Sequence, residues 1–140
     1  MLAKKYKMQL CGAGGGMPEG IVDMLALSFD LKKALTIDEV RPILVDCIDT
    51  YLNVVNTDKE LKPYLKNYPF TPKNIEISIF FRAPNGKSIN DPYLCVAGSL
   101  CGKLIYSTKA EGQKFGYKSE VIESYEDAVK ILNEKKNTSH

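Results

Sequence analysis

Apolar residues recur along this chain at two spacings, and each spacing predicts its own kind of element. Ile37, Val40, Leu44, Cys47, Ile48, Tyr51, Leu52 and Val55 fall at steps of three and four, which places them on one side of an amphipathic helix running to about Asn56. Thr36-Ile37-Asp38-Glu39 forms a capping box at its start. Pro42 lies inside the first turns, where it deletes one backbone bond and is expected to kink them. Leu25, Leu27, Phe29 and Leu31 instead alternate with Ala26, Ser28 and Asp30, and Ile75, Ile77, Ile79 and Phe81 alternate with Glu76, Ser78 and Phe80. Strict alternation selects one face of a sheet, so both runs read as half-buried strands.

Punctuation between these runs organises the rest. Asn67-Tyr68-Pro69-Phe70-Thr71-Pro72-Lys73-Asn74 is a rigid hinge, because each proline fixes φ and forbids helix continuation. Before it, Thr57-Asp58-Lys59-Glu60 repeats the capping signature and opens a short helix through Leu61, Tyr64 and Leu65. After Arg82, Ala83-Pro84-Asn85-Gly86 reads as a turn. Residues 93 to 97 and 103 to 108 read as strands around Gly98-Ser99-Leu100-Cys101-Gly102, and residues 115 to 122 as another. Ser124-Tyr125-Glu126-Asp127 caps a final helix whose apolar side is Tyr125, Ala128, Val129 and Leu132, and residues 135–140 are expected to fray. Residues 1–20 are lysine-rich and then glycine-rich, with residues 12 to 20 read as an irregular loop.

Strands joined by short turns pair antiparallel, since a parallel pair needs a long crossover. The expected fold class is therefore α+β. It is a single two-layer domain over residues 1–140: an antiparallel sheet of about five strands, the long helix on one face, and a C-terminal helix.

Composition mostly removes possibilities. The 140 residues are enough for one core without metal or disulfide staples. With 19 basic and 17 acidic residues, net charge +2, and basic clusters no longer than Lys4-Lys5-x-Lys7 and Lys135-Lys136 at the two ends, the electrostatic footprint of a nucleic-acid binder is missing. No stretch has the roughly 20 apolar residues that span a bilayer, and the first residues lack the apolar core of a signal peptide. The chain is thus cytoplasmic, or periplasmic or secreted with a leader already removed. Cysteines 11, 47, 95 and 101 have no metal-ligand spacing and permit disulfides without requiring them. Cys47 falls on the apolar side of the long helix and reads as a small buried hydrophobe. The single histidine is His140, the last residue, which removes Ser-His and Cys-His catalysis and histidine metal sites. No metal and no cofactor is implied.

Three groups remain as candidates. The first is Cys11 with Gly12, Gly14, Gly15 and Gly16, where backbone amides can form an anion-binding nest beside a thiol. The run fits neither phosphate motif, because Met17 stands where the dinucleotide pattern needs glycine and no Gly-Lys-Ser/Thr follows. Its plainer reading is a structural loop. The second is the carboxylates Asp38, Glu39, Asp46 and Asp49. Asp46 and Asp49 share a helix face, but it is the one opposite Leu44, Cys47 and Ile48, so they read as a solvated side and not as a catalytic pair. The third is the aromatic cluster around the hinge. Tyr68, Phe70, Phe80 and Arg82 make a recognition patch if the far sheet face is open, and Phe80 is core if a dimer or a terminal helix covers that face.

The stretch from Cys11 to Pro18, with Pro63-Tyr64-Leu65-Lys66-Asn67-Tyr68-Pro69-Phe70, resembles small uncharacterised bacterial proteins over residues 8 to 82. Those relatives look like proteins that follow a signal peptide, so the resemblance implies bacterial origin and a removed leader. It carries no activity, cofactor or catalytic residue. The reading that results is a non-enzymatic binding or accessory domain with a protein partner or a second copy of itself. The rival is a binder of a small molecule or anion at the glycine run and Cys11, an enzyme in one version. A toxin or effector fragment is a third class with no specific residue behind it.

Overall fold

The computed structural model describes residues 6–16, 20–66, 68–85, 89–90, 92–112 and 115–138. Six strands form one sheet in chain order, β1 (Gln9–Gly16), β2 (Met24–Leu31), β3 (Ile75–Phe81), β4 (Val96–Leu100), β5 (Lys103–Thr108) and β6 (Ser119–Ser124). Helix α1 (Ile37–Thr57) lies between β2 and β3, and helix α2 (Tyr125–Thr138) follows β6. The expected two-layer α+β domain is the one observed. Every neighbouring pair of strands is antiparallel except β2 and β3, which run parallel. The exception has a simple cause: the chain between them contains α1, long enough to carry it back to the starting end.

The sixth strand is a correction. The glycine run read as an irregular loop is most of β1, an edge strand paired with β2. Its register shifts between Leu10 and Gly12, leaving Cys11 at a bulge. Glycine has no side chain with which to display alternation, so the strand was invisible to pattern. Its absence of side chain is nonetheless used: a Cβ on Gly15 would lie 2.7 Å from the Met24 carbonyl oxygen.

Helix α1 forms where the periodicity puts it. Glu39 closes the start by accepting from the Thr36 amide at 3.2 Å and its hydroxyl at 3.1 Å, and the helix runs on through Pro42. Early placement explains the tolerance, because proline there costs only one bond near an end already short of partners. The short helix after Asp58 is a single 3₁₀ turn, Lys62–Tyr64, with no side-chain cap; Asp58 instead ends the long helix and accepts from the Glu60 and Leu61 amides ahead of the turn. Strand β4 begins later than expected and absorbs Gly98, Ser99 and Leu100, leaving Cys101-Gly102, both at positive φ, as the two-residue hairpin turn. Likewise β6 starts at Ser119, not residue 115. Helix α2 extends through Thr138, beyond the point where fraying was expected; residues 139–140, with His140, lie outside the described residues. So do the Lys4-Lys5 pair, residues 17–19, Asn67 and Gly86 of the expected turn.

Asn56 holds the middle of the hinge to the end of α1. Its side chain accepts from the Phe70 amide at 2.7 Å and donates to the Phe70 carbonyl at 3.0 Å, as a strand neighbour would. Thr71 then caps the turn Pro72–Asn74 that delivers the chain into β3. Both helices lie on one side of the sheet. Beneath them Phe29, Leu31, Ile75, Ile77, Ile79, Phe81, Ala97, Leu104 and Tyr106 meet Val40, Leu44, Cys47 and Ile48 of α1 in one core.

Candidate functional site

Two sides of the same strands present different chemistry. On the side away from the helices, one row across the sheet reads Gly12, Ser28, Ser78, Gly98, Ile105 and Ile122, and the next reads Asp30, Phe80, Val96, Ser107 and Glu120. Among the described residues no helix covers this side. Phe80 is 40% exposed and Ile122 58% exposed. The β1–β4 half is floored by small residues, and the β3–β6 half carries apolar side chains. Gly98 is obligatory in that floor, since a Cβ there would lie 2.8 Å from the Ile77 carbonyl oxygen.

At one end of this open side the strand ends converge on a cavity of about 240 Å³. Phe80, Phe81 and Arg82 enter from the end of β3, Cys95 and Val96 from the start of β4, Lys109 from just past β5, and Tyr117 from just before β6. The Lys109 ammonium sits 5.8 Å from the centre of the Tyr117 ring. The Cys95 thiol donates to the Ser107 carbonyl at 3.4 Å. Burial pushes that thiol up, while Lys109 and nearby backbone amides draw it partly back, so at neutral pH it remains protonated. Neither Arg82 nor Lys109 has a carboxylate partner among the described residues.

The comparisons with known proteins add one finding. No family model, no curated protein and no solved structure matches this chain.

The residues singled out from sequence separate into those the fold brings together and those it scatters. Phe80 and Arg82 do share the open side at the cavity. Phe70 does not join them: it is 3% exposed and belongs to the core. Tyr68 is exposed, but it lies at the entry end of β3, its hydroxyl donating to the Asn56 carbonyl and the Lys62 ammonium 4.6 Å from its ring centre. The four-residue patch is therefore two. Cys11 is exposed and free, as are the other cysteines free, with Cys47 buried. Burial, helped by the Asp46 charge, pushes the Cys47 thiol up to about 12. Gly12, Gly14, Gly15 and Gly16 are ladder residues of β1. Amides in a ladder point alternately to opposite edges, so they cannot converge on an anion.

Asp46 and Asp49 are not simply solvated. Asp46 accepts from the Tyr6 hydroxyl and Asp49 from the Tyr125 hydroxyl. Both line a groove of about 550 Å³ between α1 and α2, with Pro42, Val45, Val129 and Leu132 as its apolar floor. Their visible work is to tie flanking segments to α1.

One polar cluster escaped the pattern altogether. Arg41, 8% exposed, donates from Nε to Glu123 Oε1 at 2.7 Å and from Nη2 to Oε2 at 3.3 Å, and from Nη1 to Asp38 at 3.0 Å. The Tyr106 hydroxyl donates to the same Glu123 oxygen at 2.7 Å. Burial disfavours the charge on Arg41, but the two carboxylates outweigh it and hold the guanidinium above its ordinary value. Tyr106 is pushed up by burial and then by Glu123. The signal available was Arg41 itself, standing four residues after Ile37 and three before Leu44 in the apolar stripe. A charge in that position requires a partner, and nothing local named Glu123, 82 residues away. The buried members satisfy one another, and the exposed Asp38 pairs in addition with Lys135 of α2 at 3.2 Å, so the cluster staples α1 to β6 and to α2. Among the described residues no group of three His, Cys, Asp or Glu side chains is placed to hold a metal ion, and no helix is long and apolar enough to cross a membrane.

Proposed function

We propose that this protein is a non-enzymatic binding domain that docks a partner protein on the open side of its sheet. The observation that carries the reading is the uncovered β3–β6 surface, where Phe80, Val96, Ile105 and Ile122 form an apolar strip ending at Arg82. Aromatic residues and arginine dominate binding hot spots, and a half-exposed Phe beside an arginine without an ion pair is an anchor of that kind. Catalytic machinery has no comparable support. The buried Arg41 and Glu123 satisfy each other together with Tyr106, and the Cys95 thiol is held protonated.

The test is association of the wild-type chain and of the Phe80→Ala/Arg82→Ala variant, followed by sedimentation alone and by capture of stoichiometric partners. The expected result is a complex formed by the wild type and lost by the variant, with the thermal midpoint moved by no more than about 2 °C. A variant that unfolds, or one that keeps every complex of the wild type, would overturn the reading. Sedimentation separates a second copy of this chain from a different partner.

A further inference from the structure

We propose that the cavity at the end of β3, β4 and β5 binds a small organic acid, a single carboxylate carried on an apolar body. The argument begins with charge. Arg82 and Lys109 both line the cavity, and among the described residues no carboxylate lines it with them. The Arg82 side chain makes no hydrogen bond or ion pair among the described residues, and Lys109 has the face of Tyr117 and the nearby Cys95 thiol but no carboxylate among them. Two like charges sharing one concave surface repel each other, and an anion placed between them turns that repulsion into attraction. The guanidinium offers two parallel donors matched to a carboxylate, and the ammonium adds a point charge.

The walls set the rest of the ligand. Phe80, Val96 and Tyr117 are apolar or aromatic, over a floor of Phe81 and Ile89, both buried. Inorganic anions would leave these side chains wet, whereas an aromatic or branched body covers them. The volume of about 240 Å³ lies below the roughly 300–1,000 Å³ of pockets for drug-sized ligands, so the occupant is small. Asp30 stands opposite Phe80 and Glu120 opposite Ser107 on the same side of the sheet. These neighbouring acids disfavour a second negative charge, which selects a monoanion over a phosphate dianion. Cys95 contributes a wall, its thiol engaged with the Ser107 carbonyl, so binding is non-covalent.

This goes beyond the docking reading and stands without it, because a small acid can enter whether or not a protein covers the sheet. The test titrates the isotope-labelled full chain with 3-phenylpropionate, with its neutral amide, and with inorganic phosphate, following backbone amide shifts. Saturating shifts are expected at Arg82, Val96, Lys109 and Tyr117, with the acid bound about tenfold more tightly than either the amide or phosphate. Arg82→Gln and Lys109→Gln should each weaken the acid about fivefold while keeping the folded spectrum, and added salt should weaken it further. Equal affinity for acid and amide, saturation by phosphate at the same concentration, shifts elsewhere, or undiminished binding by both variants would each overturn the proposal. Such a failure leaves the docking reading intact, since that is scored by protein association, and Lys109→Gln spares Phe80 and Arg82.

Discussion

The two sides of the sheet are built from the same strands and obey opposite rules. Under the helices, β3 places Ile75, Ile77, Ile79 and Phe81, none more than 4% exposed. One residue out of step, it places Glu76, Ser78 and Phe80 on the side away from the helices, half-buried or exposed. The covered side even accommodates an arginine and a glutamate, because Arg41 and Glu123 satisfy each other there with Asp38 and Tyr106. On the open side, among the described residues, the exposed Arg82 and the half-buried Lys109 at the cavity have no carboxylate partner. The difference teaches where to look for function in this molecule. Polar groups that hold the fold are partnered within it, and those available to another molecule are left over.

The contrast can be broken hardest at Glu123. Glu123→Gln leaves the buried Arg41 guanidinium with only the exposed Asp38 as counter-charge and should cost about 3–5 kcal/mol in urea unfolding; a loss below about 1 kcal/mol would show that Asp38 and water suffice for the charge. Removing the charge together with its partner, as Arg41→Met/Glu123→Leu, should recover most of that loss. On the same side, Ile77→Ala should cost about 2–5 kcal/mol by opening a cavity in a fully enclosed site.

Alkali offers a test without mutation at first. The Cys47 thiol is raised from 9.0 to about 12 in the folded state. The unfolded chain therefore loses this proton first, and stability present below pH 9 should fall between pH 9 and pH 12. The slope from this one group is about 1.4 kcal/mol per pH unit. Cys47→Ala should flatten the Cys47 part of that decline in denaturant midpoints measured across the range. An unchanged slope would mean the thiol is not enclosed.

On the open side Gly98→Ala should cost about 1–3 kcal/mol, since the added methyl meets the Ile77 carbonyl across the ladder. Phe80→Ala is the smallest effect expected, within about 0.5 kcal/mol of wild type by thermal unfolding. A loss as large as that of Ile77→Ala would place Phe80 in a core and erase the distinction between the two sides.

How much of this was legible follows from the range of each interaction. Helix α1, strand β2 and the two-sidedness of β3 are written in spacings of two to four residues, because a backbone period and a hydrophobic solvent boundary suffice to determine them. For the same reason Cys47 could be assigned to the core and Phe80 to the far side of the sheet. Strand β1 was hidden because glycine shows no alternation and acquires its conformation from the β2 ladder. The partner of Arg41, the pairing of Asn56 with the Phe70 backbone, and the meeting of Arg82 with Lys109 and Tyr117 belong to the tertiary structure alone. Each joins residues whose separation along the chain leaves no period to read. Local sequence thus determined which side of each element faces the core, and only the assembled sheet decided which leftover side chains stand together where a ligand could reach them.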